Sequence, residues 1–327
     1  MKTMGYMTVS RNLAFFSPNP RSDPMKHIFI VNPVSGKGKA KKLIPLIESY
    51  FANHPGEFEI IETLDHGSAT EIAGRYHKED DVVIYSVGGD GTAFEVLNGL
   101  NDQVPMAVIP GGTGNDFFRM TGYKIKDFQK IIADTIEGKN VRVDHGMCNG
   151  KKIINTSSMG FDAQINNTAE RIGKNLPIPR TMVYLVSVFI TLSQLRAYDL
   201  TLELVDGIHK FRAVLIVINN GRWYGGGFQP TPMADIQDGQ FDICVIDECN
   251  WLTVLRMLPK YMKGTHINEP IAHFFKADQF TLKSEGNVDI AFDGEALVGD
   301  RFDYHIIKGG LYMRVPQSST LDSKYPD

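Results

Sequence analysis

Val82-Val83-Ile84-Tyr85-Ser86-Val87-Gly88-Gly89-Asp90-Gly91-Thr92-Ala93-Phe94-Glu95-Val96-Leu97-Asn98-Gly99 is the stretch whose reading decides the fold. The uncharged run 82–87 follows Asp80-Asp81 and reads as a buried strand, the glycines make a turn, and 92–99 reads as a short helix. Glycines at such a turn let the backbone come close to a bulky anion, and the next helix aims its N–H groups and positive dipole end at the same point. The ligand this suits is a phosphate. Thr92 with Glu95 fits a reciprocal cap at the helix start. Asp90 would repel a phosphate unless a cation stood between them, and a nucleotide carrying magnesium supplies that cation. Taken alone, the same turn could be a tight bend without a ligand.

The pattern recurs on either side. A strand at 28–31 runs into Asn32-Pro33-Val34-Ser35-Gly36-Lys37-Gly38-Lys39, and a helix follows with Leu43, Ile44, Ile47, Tyr50 and Phe51 on one face and Pro45 in its first turns. This loop has backbone donors, a hydroxyl and lysines but lacks the Gly-x-x-x-x-Gly-Lys-Ser/Thr spacing, so it is no Walker loop. A strand at 59–63 puts Thr63 at its C-terminal end, where open α/β sheets bind ligands, and Ser68-Ala69-Thr70-Glu71 reads as the cap of the next helix. A strand at 105–109 enters a second glycine loop, Pro110-Gly111-Gly112-Thr113-Gly114-Asn115-Asp116, followed by Phe117-Phe118-Arg119. An amphipathic helix at 127–137 ends at Gly138. Glycine loops at neighbouring strand ends point to one shared crevice in an N-terminal α/β domain.

Beyond about residue 140 the composition changes. Strands are expected at 141–147 and 153–158, helical stretches from about 161 and over 181–196, and then strands at 198–205, 211–218, 241–246, 280–285, 288–292 and 302–307 without long helices between them. That succession belongs to a β-rich antiparallel second domain. The apolar run 182–192 is most simply core, with an interfacial or lipid-facing surface as the alternative, and it is too short to span a bilayer.

A chain of 327 residues has room for two such domains, and 43% hydrophobic with 22% charged residues is an ordinary globular composition. A net charge of -4 with no dense basic tract argues against nucleic acid as a partner. Cys148, Cys244 and Cys249 are too scattered for a disulfide framework or a zinc site and suit a reducing cytoplasm. Residues 1–25 lack a signal-peptide core and read as a disordered extension, with Met25 an alternative start.

Taken together, Asn32-Pro33-Val34-Ser35-Gly36, Gly88-Gly89-Asp90-Gly91-Thr92, Pro110-Gly111-Gly112-Thr113-Gly114-Asn115-Asp116 and Phe292-Asp293-Gly294-Glu295 resemble the diacylglycerol kinase catalytic-domain family, which includes bacterial lipid kinases and the sphingosine and ceramide kinases. The resemblance implies a nucleotide domain similar to that of NAD kinases, at 26–143 plus 309–318, with the last strand at 311–315 returning to it. It implies a β-sandwich lipid domain at 144–308 and a catalytic cleft between the two. ATP phosphates are implied on Asn32, Pro33, Val34, Ser35 and Gly36 and on Gly88, Gly89, Asp90, Gly91 and Thr92. Thr63, Gly112, Thr113 and Asn115 would face the nucleotide. Asp90, Asp116 and Asp144 match acidic positions lining the cleft, and Lys37, Lys42 and Arg119 match basic positions near phosphate.

Asp235, Asp238 and Gln240, in Asp235-Ile236-Gln237-Asp238-Gly239-Gln240, look like that family's structural Mg2+ site, although Asp-Gly is also a strong β-turn signal. Asp293 and Glu295 would handle the acceptor's hydroxyl proton, with the order of their roles open. Phe94 departs from the family, which commonly has Asn there, and Phe118 stands where a small residue is commoner. The implied reaction is Mg2+-dependent transfer of the ATP γ-phosphate to a lipid's primary hydroxyl, by an enzyme touching the membrane only peripherally, with a homodimer open. NAD kinase shares the Gly-Gly-Asp-Gly motif and phosphofructokinase resembles it more weakly; a non-catalytic lipid-binding protein is the reading from another class.

Overall fold

The computed structural model describes residues 25–101, 103–160, 195–293 and 295–325. The expected N-terminal extension and the helical stretches expected between 161 and 194 lie outside the described residues. The chain divides into two compact units at His145/Gly146 and again at Ile307/Lys308.

The first unit is built on parallel strands β1 (Lys26–Val31), β2 (Phe58–Glu62), β3 (Val82–Gly88) and β4 (Met106–Pro110), in the order β2-β1-β3-β4. The end of β13 (Glu295–Val315) lies parallel to β4, with Met313 opposite Met106. Because side chains alternate along a strand, Phe29, Val31, Val83, Tyr85, Val87, Ala107 and Ile109 form one apolar layer. It packs under Leu43, under Ile47 of α2 (Ile44–Asn53) and under Ile132 and Ile136 of α6 (Phe128–Ile136). Phe29 and Tyr85 stack at 4.4 Å. Burial on this scale, about 1.5–3 kcal/mol per large apolar side chain, makes β3 a central strand, and all its residues are buried. The chain passes from β1 to one side, then returns to place β3 on the other side of β1. This makes the β1/β3 pair the topological switch point, where α/β sheets open a crevice beyond their C-terminal ends.

Two expected helix caps do not form. α4 (Asp90–Gly99) starts two residues earlier than expected, behind Gly89 and without a side-chain cap, and the Glu95 carboxylate instead accepts from Ala69 N at 3.2 Å. α3 (Ser68–Ala73) follows Gly67 in the left-handed region, and Ser68 Oγ turns to Asp65. At Glu95 a neighbouring element, α3, offered the capping side chain a partner that local spacing could not reveal, whereas at Ser68 the competitor is Asp65, three residues earlier in the chain. Thr70 Oγ1 donates to Glu95 O at 2.9 Å, and a Cβ on Gly99 would meet Thr70 O at 2.0 Å, so α3 and α4 pack almost backbone to backbone.

The second unit is antiparallel. Its strands are β6 (Lys151–Ile153), β7 (Thr156–Gly160), β8 (Tyr198–Leu204), β9 (Gly207–Asn219), β10 (Phe241–Asp247), β11 (Ala272–Ala277), β12 (Gln279–Phe292) and the start of β13, with β5 (Lys139–Cys148) entering from the first unit. The order is β11-β10-β9-β7-β12-β13, and β8 lies end to end with β7 between β9 and β12. Expected strands 280–285 and 288–292 are one strand, β12, with a register shift between Lys283 and Val288. Contrary to the expectation of no long helix here, α7 (Trp251–Lys263) joins β10 to β11. Its Pro259 counts against a helix in sequence, yet Met257 and Tyr261 one turn apart turn inward, Tyr261 against Val214, Leu215, Val217, Cys244 and Ile246.

None of the three cysteines is in a disulfide; Cys148 and Cys244 are buried, and burial pushes the Cys148 thiol up to about 11. Among the described residues no helix is long and apolar enough to cross a membrane.

Candidate active site

In the first unit the expected phosphate loops lie side by side at the strand ends, tied by backbone bonds. Asn32 N donates to Val87 O at 3.0 Å, its Nδ2 reaches Thr92 Oγ1 at 3.2 Å, and its Oδ1 accepts from Val34 N at 3.3 Å. Ser35 N returns to Asn32 O at 3.1 Å, closing the turn over Pro33. Gly88 O accepts from both Gly111 N, at 2.7 Å, and Gly112 N, at 2.8 Å. A Cβ on Gly36 would fall 2.3 Å from Gly111 O, and one on Gly112 would fall 2.3 Å from Gly89 Cα. Gly36 and Gly112 are therefore demanded by loop-on-loop packing. Gly91 is different: it is exposed, and outside its chain neighbours and its own helix backbone nothing lies within 4 Å of where a Cβ would stand. Thr63, buried at the end of β2, donates its N–H to Val31 O at 2.8 Å and so joins the same edge.

Asp90 has a structural partner that sequence reasoning missed. Its Oδ2 accepts from Asp116 N at 3.1 Å and its Oδ1 from Phe117 N at 3.0 Å, so it caps α5 (Asp116–Arg119) and binds the two glycine loops together. Asn115, in the left-handed region, closes the second loop by accepting from Gly112 N at 2.9 Å and donating to Gly112 O at 3.0 Å. Thr113 at the tip is exposed. Asp116 is buried with its Oδ1 3.3 Å from Arg119 Nε. Lys37 and Lys42 are exposed, Lys37 in the left-handed region. Asp144, expected to line a cleft, is fully buried and accepts from Gly309 N at 2.7 Å, where the chain re-enters this unit. Phe94 and Phe118 are both buried, so each departure from the resembled family falls in the core.

In the second unit Asp293-Gly294 joins β12 to β13, with Phe292 opposite Glu295. Asp293 is in the left-handed region and only 6% exposed. Its carboxylate accepts from three successive backbone donors, Ile154 N at 2.7 Å, Asn155 N at 3.2 Å and Thr156 N at 3.0 Å. An ionised carboxylate, which only accepts, matches such a nest of donors. Asparagines not singled out in the sequence hold the nest in place. Thr156 Oγ1 donates to Asn219 Oδ1 at 2.6 Å, Asn220 Nδ2 to Ile154 O at 3.0 Å and Asn155 Nδ2 to Trp223 O at 2.7 Å. The signal was Asn219-Asn220-Gly221, two amides at the end of an apolar strand. Glu295 sits 3.9 Å from Lys151 Nζ.

The expected metal segment closes on itself. Gln237 N donates to Asp235 Oδ1 at 3.0 Å, Asp238 N to Asp235 O at 3.3 Å and Gln240 N to Asp238 Oδ1 at 3.0 Å. The other Asp238 oxygen meets Lys276 Nζ at 2.7 Å, and the same ammonium is 3.2 Å from Asp242. Burial pushes the Asp242 carboxyl up to about 6, against the pull of Lys276. Burial opposes the charge on Lys276, but Asp238 and Asp242 hold it above the ordinary lysine value. Mg2+ requires several oxygens turned toward it in near-octahedral array. Here the Asp238 carboxylate is divided between a backbone N–H and an ammonium, a donor set that fits a lysine and would have to release it to take a divalent ion. Among the described residues no three His, Cys, Asp or Glu side chains are grouped to hold a metal.

Comparison with known proteins matches residues 26–148 to the diacylglycerol kinase catalytic domain and residues 155–303 to the YegS C-terminal NAD kinase beta sandwich-like domain. Diacylglycerol kinase of Staphylococcus saprophyticus is 28% identical over 81% of this chain and 87% of its own, and that of Bacillus subtilis is 27% identical over 81% and 88%. In fold, the chain is similar to the crystal structure of a diacylglycerol kinase from Bacillus anthracis, with a TM-score of 0.66, 22% identity and coverage of 89% of this chain and 96% of that one.

Proposed function

Because the chain belongs to the diacylglycerol kinase catalytic-domain family, we propose that it moves the γ-phosphate of ATP to the primary hydroxyl of diacylglycerol, giving phosphatidic acid. The observation that carries this reading is the close packing of the glycine loops after β1, β3 and β4 beside the switch point, with Gly91 open to an approaching group. We assign the nucleotide to 26–143 with 309–318, its phosphates to the Asn32–Gly36 and Gly88–Thr92 loops and its other contacts to Thr63, Gly112, Thr113 and Asn115. Lys37, Lys42 and Arg119 would offset phosphate charge, and 144–308 would receive the lipid.

In the reaction the acceptor oxygen bonds to the γ-phosphorus, the bond from that phosphorus to the β–γ bridging oxygen breaks, and ADP leaves. The hydroxyl proton passes to the Asp293/Glu295 pair. Mg2+ carried with ATP supplies positive charge at the phosphates. Asp90, Asn115 and the loop glycines keep the backbone donors aligned, so little reorganisation is needed when charge shifts. The setting is the cytoplasm, with peripheral contact to the membrane that holds the lipid; a homodimer is compatible with it.

The test is transfer of label from γ-labelled ATP to diacylglycerol, to NAD or to no added acceptor. Label in phosphatidic acid alone is expected, whereas label on NAD would make the chain an NAD kinase, and none on either acceptor would leave a non-catalytic binder. A folded Gly89→Val protein should lose ATP binding, because its side chain would also enter the space facing Gly112 and Ser35. Unchanged ATP affinity would remove the loop assignment.

A further inference from the structure

α5 is a single turn, too short to hold its own shape, because the first turn of a helix fixes several residues for one hydrogen bond. What holds it lies outside it. At its front the Asp90 carboxylate takes the N–H groups of Asp116 and Phe117, and Arg119 N returns to Asn115 O at 3.3 Å, joining the helix to the loop 112–115. On its flank Phe117 and Phe118 are buried. At its back Thr121 N donates to Phe118 O at 3.1 Å and Gly122 N to Arg119 O at 3.1 Å, and there the segment that follows β13 arrives.

Pro316-Gln317-Ser318-Ser319-Thr320 has the polar composition of a loose end, and such an end keeps one place only where it is tied down. Here Ser319 N turns back to Pro316 O at 2.8 Å, and Thr121 O accepts from both Thr320 N, at 3.0 Å, and Ser319 Oγ, at 2.8 Å. The Ser319 hydroxyl in turn accepts from Leu321 N at 3.1 Å. Thr121, Ser319 and Leu321 are all buried. Gly122 is in the left-handed region, and a Cβ on it would stand 2.4 Å from Thr320 Oγ1, so the two backbones meet with no room for a side chain between them. Further on, Asp322 meets Lys139 Nζ at 3.0 Å on the surface. These residues and the phosphate loops belong to the same unit.

We propose that Ser319, Thr320 and Leu321 are positioning residues for the nucleotide: by fixing Thr121 and Gly122 they hold α5, and through α5 and Asp90 they keep the loops 88–92 and 112–115 at the spacing that receives the phosphates of ATP. This rests on the kinase reading for its ligand. The segment touches no reacting group and acts through Thr121, α5 and Asp90. A segment that only stabilised the unit would move the unfolding temperature and leave the ligand's affinity alone. Coupling between two sites is reciprocal, so if the docked segment favours the ATP-binding arrangement of the loops, ATP favours the docked segment by the same factor.

The test uses the full chain, with the affinity for ATP and Mg2+ measured by calorimetry and hydrogen exchange followed at the Thr320 amide. Ser319→Ala with Leu321→Ser removes the hydroxyl that bonds Thr121 O and the buried apolar anchor beside it. That protein should bind ATP about tenfold more weakly and show a KM for ATP raised by the same factor, with kcat at saturating ATP near parental. Asp322→Asn, which loosens the segment only at Lys139, should keep parental affinity. In the parent, saturating ATP should slow exchange at the Thr320 amide by about tenfold. Ser319→Ala alone should weaken ATP binding about threefold, and it decides the matter if the double variant does not fold. Parental ATP affinity in the folded variant, or exchange at Thr320 that ignores ATP, overturns the positioning role while the kinase reading stands. A parent that binds no ATP overturns the kinase reading and the positioning role with it.

Discussion

Asp238-Gly239 and Asp293-Gly294 are the same dipeptide in the same structural unit, each just ahead of a strand, and the fold gives their carboxylates opposite surroundings. Asp238 is on the surface with its side chain 27% exposed and meets the Lys276 ammonium. Asp293 is buried and meets backbone N–H groups of Ile154, Asn155 and Thr156. A surface ion pair contributes about 0–1 kcal/mol, whereas a hydrogen bond to a charged group contributes about 1.5–3 kcal/mol, and a buried donor stripped of its acceptor costs its desolvation. Asp-Gly specifies a turn; the partner across from it sets whether the carboxylate is ornament or framework.

The largest effect should come from the buried turn. Asp293→Asn removes a proton acceptor and turns an amide N–H₂ toward backbone donors, so turnover should fall by about 10²–10⁴-fold while ATP binding is retained. Glu295→Gln, measured in single turnover beside it, divides the roles: the larger loss marks the residue that takes the proton. Near-parental rates for both variants would reduce the Asp293 turn to framework only, with Asp116 the next carboxylate to test.

A smaller effect is expected at the exposed turn. Lys276→Met leaves Asp238 and Asp242 without their shared cation, and the midpoint of unfolding should drop by about 1–4 °C. Added Mg2+ should restore the variant, whereas the parent should unfold at the same temperature with Mg2+ or with a chelator. If instead the chelator lowers the parent's midpoint and Asp238→Ala abolishes that response, the segment is the magnesium site implied by resemblance, and the contrast between the turns disappears.

The smallest effect tests burial without a carboxylate. His266 is fully buried, 3.0 Å from Pro230 O, and burial lowers its imidazole below the ordinary 6.5 despite hydrogen bonds that favour the charged form. The unfolded chain then binds the proton more readily than the folded one, so this contribution is fully present above pH 6.5 and is lost as the pH falls below it. Unfolding followed from pH 8 to 5 should show a shallower acid loss for His266→Gln than for the parent; equal slopes would mean His266 does not carry it.

Both α7 and the surroundings of Asp238 were hidden from a one-dimensional scan. α7 went unrecognised because Pro259 interrupts its pattern and its apolar residues fall on two faces, one against Val214 and Cys244 and one toward solvent. Lys276 is 38 residues from Asp238 and becomes its neighbour only when β10 and β11 pair, with Asp242 opposite Lys276. The Glu95 cap failed for the same reason, Ala69 being the partner folding brought within reach, whereas Ser68 turned to Asp65, a competitor only three residues earlier in the chain.

What the amino-acid order determined alone is local. Uncharged runs such as 82–87, glycines at strand ends and alternating strand and helix signals were enough for an α/β unit followed by a β-rich one, because burial and backbone permissiveness act within a few residues. Tertiary structure decided what each chemical group touches. It set Asp90 on the α5 donors, nested Asp293 among three N–H groups, enclosed Asp144 beside Gly309 and turned Leu252 and Met262 outward. Hydrogen bonds and ion pairs act over about 3 Å, and residues far apart in the chain come that close only through strand order and register, which no local pattern encodes.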